Sequence, residues 1–170
     1  ADIVRRTALP KEPAVFGYQL TPRGRELRPL IEAFGVWGHR WVESELSLQK
    51  LDVTLLMWDM RRNLDPSPMP PRHSVIQFCY AALPSAQSSW WLLVDPNDGV
   101  DLCSIDPGFD VDLYVATDLR TMTAIWMAYD TVRAAVGAQR MLLTGDRSLA
   151  ASMQTWLALS PFARERKLAS

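Results

Sequence analysis

The residues that could carry out chemistry in this chain are few and widely spaced. Its two histidines, His39 and His73, lie far apart, and neither Cys79 nor Cys103 stands at metal-ligand spacing from them. The sequence has no Gly-x-Ser-x-Gly nucleophile elbow and no glycine loop that cradles a phosphate. The pattern therefore predicts no catalytic residues, no metal and no cofactor, and it favours a protein that is not an enzyme.

Six aspartates between positions 95 and 112 give the strongest metal-like signal. Counted from Asp95, however, Gly99 comes one position early for the glycine of a calcium loop, and no glutamate closes that loop. Hairpin turns and solvated strand faces explain this acidic series better.

Large, adaptable apolar side chains are the better candidates for a functional role. Helical spacing places Met122 with Trp126, and Met153 with Trp156, on two helices that we expect to cover one sheet. Methionine and aromatic groups between two layers suit a flexible apolar ligand, but the same groups at native density would form a solid core. The pattern leaves both alternatives open. The predicted ligand-binding residues, with the face of each strand depending on register, are Phe78, Leu93, Leu102, Leu113, Met122, Trp126, Met153 and Trp156.

The elements that must position these groups follow from alternation and turn residues. Runs rich in aromatic and β-branched residues, closed by Asp-Gly and Asp-Pro turns, predict strands, and amphipathic repeats after capping residues predict helices. The predicted strands are 74–83, 90–95, 100–105, 111–116 and 141–143, and the predicted helices are 51–64, 119–129, 131–138 and 149–159.

The first 41 residues have a different character. Two strand-like segments, 3–7 and 15–20, predict a β-hairpin, and Thr21-Pro22 is a strong start for a helix over residues 23–41. Residues 1–40 carry seven basic and four acidic residues, a net charge of +3, so the remainder of the chain carries −4. This asymmetry is consistent with a polyanionic partner for the first part, and equally with two solvated surfaces of different sign.

An apolar stripe runs along the predicted helix of this first part. A stripe with three large aromatic groups is too large to leave in water on a small appendage, so it predicts a homodimer interface. The predicted interface residues are Leu27, Leu30, Ile31, Phe34, Trp37 and Trp41.

The first part resembles a family of regulators. The hairpin, the Leu-Thr-Pro-x-Gly-Arg run at positions 20–25 and Trp37-Gly38 resemble the wing and C-terminal helix of HxlR-type winged-helix transcription regulators. The resemblance implies wing contacts to DNA from Arg5, Arg6 and Lys11. A preceding helix-turn-helix is missing, so we expect this chain to be a truncated portion that binds DNA weakly or not at all.

The second part, roughly residues 51–162, resembles the sterol carrier protein type 2 fold. Its most recognisable piece is a short helix, a strand that ends in Thr144-Gly145-Asp146, and a terminal amphipathic helix. The resemblance implies an apolar tunnel for a fatty-acyl or sterol-like ligand. The runs at 56–59, 100–103, 106–109 and 159–162 are also similar to HxlR-type regulators that carry such a domain as a C-terminal fusion.

Together these features predict an α+β fold with a mostly antiparallel five-stranded sheet covered by helices. The predicted domains are a wing hairpin and helix at 1–41, a linker at 42–50, a carrier-like domain at 51–163 and a tail at 164–170. The predicted function is the ligand-sensing and dimerisation portion of a transcription regulator, with DNA as a partner of the full-length protein only. The alternative is a stand-alone lipid or sterol carrier.

Composition agrees with an ordinary globular chain. The sequence is 48% hydrophobic and 22% charged, and it has no apolar run of the roughly 18 residues that a membrane span requires. Cys79 and Cys103 fall in separate predicted strands, which favours two free, buried thiols in a cytoplasmic protein over a disulfide.

Overall fold

The computed structural model describes residues 2–9, 12–43 and 48–169. The chain divides into two compact units. The first contains Ala1–Val42 together with Lys167–Ala169, and the second contains Glu43–Arg166. The predicted tail therefore belongs in part to the first unit, where the backbone N–H groups of Leu168 and Ala169 both donate to the Arg40 carbonyl at 2.9 Å.

The first unit is a hairpin followed by one long helix. Strands β1 (Val4–Leu9) and β2 (Glu12–Leu20) pair antiparallel, and helix α1 spans Pro22–Trp41. The predicted cap is confirmed, because the Thr21 Oγ1 accepts a hydrogen bond from the Gly24 N–H at 3.2 Å. A Cβ on Gly24 would lie 2.2 Å from the Ile3 carbonyl oxygen, so a glycine at this position lets the helix pack directly on the start of the hairpin.

The second unit is built on a five-stranded sheet. Its strands are β3 (Ser74–Tyr80), β4 (Ser89–Asp95), β5 (Gly99–Cys103), β6 (Leu113–Thr117) and β7 (Met141–Gly145), in the order β5-β4-β3-β6-β7. The central strands β3 and β6 run parallel, while the outer pairs are antiparallel. The sheet is therefore mixed, and the prediction of a mostly antiparallel sheet was wrong at its centre, where the chain returns after two hairpins to pair with β3 from the other side.

Helices cover one face of this sheet. They are α2 (Val53–Asn63), α3 (Leu119–Trp126), α4 (Val132–Gly137), α5 (Arg147–Ala151) and α6 (Met153–Trp156), and a 3₁₀ turn follows at Pro161–Arg164. Each of the helices α2 to α5 starts at a side chain that accepts hydrogen bonds from first-turn N–H groups. These caps are Asp52, Asp118, Thr131 and Asp146.

One helical prediction needs correction. The helix predicted over 149–159 is divided at Ser152, whose hydroxyl donates to the Ser148 carbonyl at 2.8 Å, and the chain then takes positive φ angles at Ala158 and Leu159. On α2 the side chains of Leu55 and Trp58 are exposed. The buried face of α2 consists of Val53, Leu56, Met57 and Met60.

The segment after β7 is tied to the start of β6 by backbone contacts. Gly145 has a φ of 130°, and a Cβ there would lie 2.2 Å from the Asp112 carbonyl oxygen. That carbonyl accepts the Asp146 N–H at 2.8 Å. The Arg72 guanidinium joins both carboxylates, at 2.7 Å from Asp112 and 3.0 Å from Asp146. The backbone hydrogen bond of Asp146 and the two ion pairs of Arg72 therefore connect the segments before β3, before β6 and after β7. The absence of a side chain at Gly145 allows this close approach.

Candidate functional site

The predicted ligand-binding residues mostly meet in one place. Six of them are buried members of the core between the sheet and the helices, and Leu102 packs partly buried against that core. The six are Phe78, Leu113, Met122, Trp126, Met153 and Trp156. The sequence pattern thus brought together residues from two strands and two helical segments, although whether they bind a ligand stays a prediction.

Leu93 lies on the opposite face of the sheet. Along β4 the core side chains are Trp90, Leu92 and Val94, so Leu93 points away from the helices. It is paired with Val75 of β3, which likewise lies outside the core cluster. The prediction for Leu93 was therefore off by one residue in register, which moves a strand side chain to the other face.

Methionine is concentrated in the core of the second unit. Six of the seven methionines of the chain are buried in it, and Met127 packs against it half-buried. The Met57 sulfur also accepts the hydroxyl of the buried Tyr80 at 3.2 Å, and burial raises the pKa of that phenol, which keeps it a neutral donor. Because methionine is unbranched and adapts its shape, this core can repack around a guest more readily than one built of branched side chains.

The core is closed in the described structure. Met122, Met153 and Trp156 have no exposed surface, and the Trp156 indole N–H donates to the Leu149 carbonyl at 2.8 Å. A ligand between sheet and helices must therefore displace side chains. On this side the helical cover consists of α5 and α6, two helices of five and four residues separated at Ser152.

A separate cavity of about 410 Å³ lies at the edge of the sheet where β3 and β6 end. Its wall is mainly apolar, and several of its side chains are small, among them Cys79, Ala81, Ala82 and Ala116. Sequence analysis missed it, since a depression produced by small side chains leaves no periodic signal. Cys79 is a free, half-buried thiol, as is Cys103. Burial raises the pKa of Cys79, so this thiol is neutral at ordinary pH.

Of the predicted DNA contacts, two arginines lie next to each other in β1 but point in opposite directions. Arg5 pairs directly with Gln19 and Arg6 with Tyr18, so the alternation of the strand places them on different faces of the hairpin. Both are exposed, and the Arg6 guanidinium stacks on the Phe16 ring at 3.8 Å from its centroid. Lys11 lies outside the described residues.

The predicted dimer residues form an exposed apolar face on α1. Each has between 39% and 72% of its surface exposed, and the set comprises Leu27, Leu30, Ile31, Phe34, Trp37 and Trp41. Within α1 the buried residues are Gly24 and His39, so the helix contributes little apolar surface to a core of its own. This stripe has the size and composition of an interface that a second surface would cover.

Within the described ranges, no group of three or more His, Cys, Asp or Glu side chains could hold a metal ion. None of the helices there is long and apolar enough to cross a membrane.

A family model matches the first part of the chain. Residues 1–46 match the model of the HxlR-like helix-turn-helix family. No curated protein matches the chain.

Several solved structures are similar to part of this chain. One is the inverting sec-alkylsulfatase Pisa1 from Pseudomonas sp., with 14% identity, 65% of this chain covered, and a TM-score of 0.47; this chain spans 17% of that sulfatase. Another is sterol carrier protein 2 like 2 from Aedes aegypti, with 24% identity over 60% of this chain and 93% of that one, and a TM-score of 0.43. A third is sterol carrier protein 2 from Yarrowia lipolytica, with 15% identity over 64% and 93%, and a TM-score of 0.44. With TM-scores below 0.5, these similarities by themselves assign no function to the chain.

Proposed function

We propose that this chain is the dimerising and ligand-sensing part of a cytoplasmic transcription regulator. The observation that carries the proposal is the exposed apolar stripe of α1 within the segment that matches the HxlR-like helix-turn-helix family. A hairpin with exposed arginines precedes that helix, as expected for a wing that contacts the DNA backbone.

The proposed dimer is a two-fold assembly in which the stripes of two α1 helices cover each other. Aromatic groups such as Phe34, Trp37 and Trp41 are typical of interface centres. A two-stranded hairpin is marginal in water by itself. Mutual burial of the stripes would supply apolar contact to a unit whose described residues include no buried apolar side chain.

The second unit is the proposed sensor. Its methionine-rich core would admit one elongated apolar or amphipathic molecule between sheet and helices, through displacement of the short segments α5 and α6. Such a molecule would then modulate the DNA binding of the full-length protein.

Native mass spectrometry of the chain purified from cells tests both halves of this proposal at once. We expect a dimer that carries one apolar small molecule per subunit. A monomer with bound lipid would favour a stand-alone carrier, while a dimer without any apolar ligand would remove the sensing role.

Titration with a fluorescent fatty-acid analogue tests the ligand site directly. We expect saturable binding that Met153→Trp abolishes, because in the closed core the larger ring takes up the volume into which side chains would have to move to admit a guest. The urea midpoint of this variant checks that the second unit still folds. The matched control is Leu55→Trp, which adds the same ring at an exposed position of α2 and should bind as the parent chain does. Equal binding by both variants would show that the site is not between Met153 and the sheet.

A further inference from the structure

A cleft in the first unit combines positive charge from the hairpin and from the helix. It has a volume of about 330 Å³ and is lined by Arg5, Gln19, Leu20, Thr21, Pro22 and Arg25. Of the described residues that line it, two are arginines and none is acidic. Two guanidinium groups without a lining carboxylate make this a site for an anion.

The strand register explains how the hairpin side of the cleft is formed. Arg5 and Gln19 are direct cross-strand partners, so their side chains stand together on one face. Arg6 lies on the other face, where its guanidinium stacks on Phe16. Arg5 therefore lines the cleft and Arg6 does not, although the two are neighbours in sequence.

The helix side of the cleft is formed by Arg25. Its Nη1 donates to the Leu20 carbonyl oxygen at 2.9 Å, which orients the guanidinium beside the end of β2. This hydrogen bond goes to a neutral group, so it leaves the positive charge of Arg25 uncompensated.

The first-turn backbone groups contribute little to the cleft. Gly24 N–H donates to the Thr21 hydroxyl, Arg25 N–H donates to the Thr21 carbonyl, and Pro22 has no N–H to offer. Arg23 is not among the residues that line the cleft. The binding groups are therefore the two guanidinium forks and the Gln19 amide. Guanidinium forks match the oxygens of a phosphate.

We propose that Arg5, Gln19 and Arg25 bind one backbone phosphate of duplex DNA, and that Arg6 is not part of this site. The inference deepens the proposed function and rests on it, since DNA is the polyanion that a wing would meet. It adds Gln19 and Arg25 to the expected DNA contacts and separates the roles of Arg5 and Arg6.

Two probes test this assignment on the full chain. The first is a short mixed-sequence DNA duplex, followed by fluorescence anisotropy at a series of NaCl concentrations that begins at low salt, where the weak binding expected of this chain is measurable. The second is inorganic phosphate at constant ionic strength, followed by the NMR shifts of the Arg5 and Arg25 side-chain N–H groups. The variants are Arg25→Gln and Arg5→Gln, with Arg28→Gln as the matched control, because Arg28 lies on the same helix but pairs with Glu32 at 2.8 Å outside the cleft.

We expect Arg25→Gln and Arg5→Gln each to weaken duplex binding roughly tenfold and to lower the slope of log affinity against log salt by about 1. Arg28→Gln should leave the slope unchanged. Phosphate should shift the Arg5 and Arg25 signals saturably in the parent chain, and each cleft variant should remove the shift of the other arginine.

Equal behaviour of Arg25→Gln and Arg28→Gln with both probes would overturn the site. Duplex binding that depends on Arg6 but not on Arg25 would overturn it as well, while leaving the proposed regulator intact. Saturable phosphate shifts without any duplex binding would overturn DNA as the occupant and leave a site for free phosphate.

Discussion

Replacement of Phe34 by aspartate should convert the proposed dimer into a monomer. Phe34 lies near the middle of the apolar stripe of α1 and has the largest exposed fraction of the stripe, 72%. An aspartate at that position removes apolar surface from the interface and brings two negative charges together across a two-fold axis.

The structure sets the size of the effect. An aromatic side chain offers about 200 Å² of surface, so the exposed part of Phe34 amounts to about 140 Å² per protomer. At about 25 cal/mol per Å², burial of this surface contributes roughly 3.5 kcal/mol per protomer. This figure is an upper bound, because association and side-chain ordering offset part of it. If half of this free energy remains per protomer, the two substitutions in one dimer together remove roughly 3.5 kcal/mol and weaken dimerisation by roughly several hundredfold.

Sedimentation velocity over a range of micromolar concentrations measures this change. The matched control is Leu55→Asp, which places the same acid at another exposed apolar position, in helix α2 of the second unit, where 61% of Leu55 is exposed. We expect the control to sediment as a dimer and Phe34→Asp as a monomer. A parent chain that is monomeric at these concentrations, or a Phe34→Asp variant that remains dimeric, would refute the assignment of the stripe.

Two further predictions concern the stability of the second unit. Gly145→Ala should lower the free energy of unfolding by more than about 3 kcal/mol, because the new Cβ would lie 2.2 Å from the Asp112 carbonyl at a φ of 130°. Gly137→Ala, with open space around its Cβ, should change that energy by at most about 1 kcal/mol; similar urea midpoints for the two variants would contradict this. Hydrogen bonds to the Asp146 carboxylate, the largest contribution coming from the Ser148 hydroxyl, lower its pKa from 3.8 to about 2. The stabilisation is therefore complete above the unfolded pKa and is lost as pH falls towards 2. Thermal melts should show the parent losing stability over this range faster than Asp146→Asn, and parallel curves would count against the shift.

Local sequence signals predicted most of the elements correctly. The hairpin of the first unit, the start of α1 after Thr21, and the strands of the second unit all lie within a few residues of their predicted positions. These elements depend on alternation, turn residues and capping side chains, which act between residues close in the chain. The burial of Met122 and Trp126 on one face of α3 followed from helical spacing for the same reason.

The errors arose where distant parts of the chain meet. The parallel pairing of β3 with β6 places Ile76 opposite Leu113, far along the chain. Tight turns in the sequence predict only antiparallel pairs of consecutive strands, so they gave no signal for this pairing. The end of the last helix depends on positive φ angles at Ala158 and Leu159, two residue types that give no local signal for that conformation. The face of Leu93 depends on register, which is fixed only when β4 has paired with β3.

The closed core also determines which ligand the second unit can hold. A guest must displace groups such as Met153 and Trp156, and exposure of each large apolar side chain costs roughly 1.5–3 kcal/mol. The hydrogen bond from the Trp156 indole to the Leu149 carbonyl is lost in the same step. A fatty chain gains roughly 0.8 kcal/mol per buried methylene, so the first several methylenes only offset the opening of the core. Binding should therefore be undetectable for short chains and then strengthen about fourfold per added methylene. A preformed tunnel would instead bind short chains as well, with affinity rising from the first methylene onward. The chain-length dependence of the fatty-acid titration thus distinguishes a methionine-rich core that opens around its ligand from a preformed cavity.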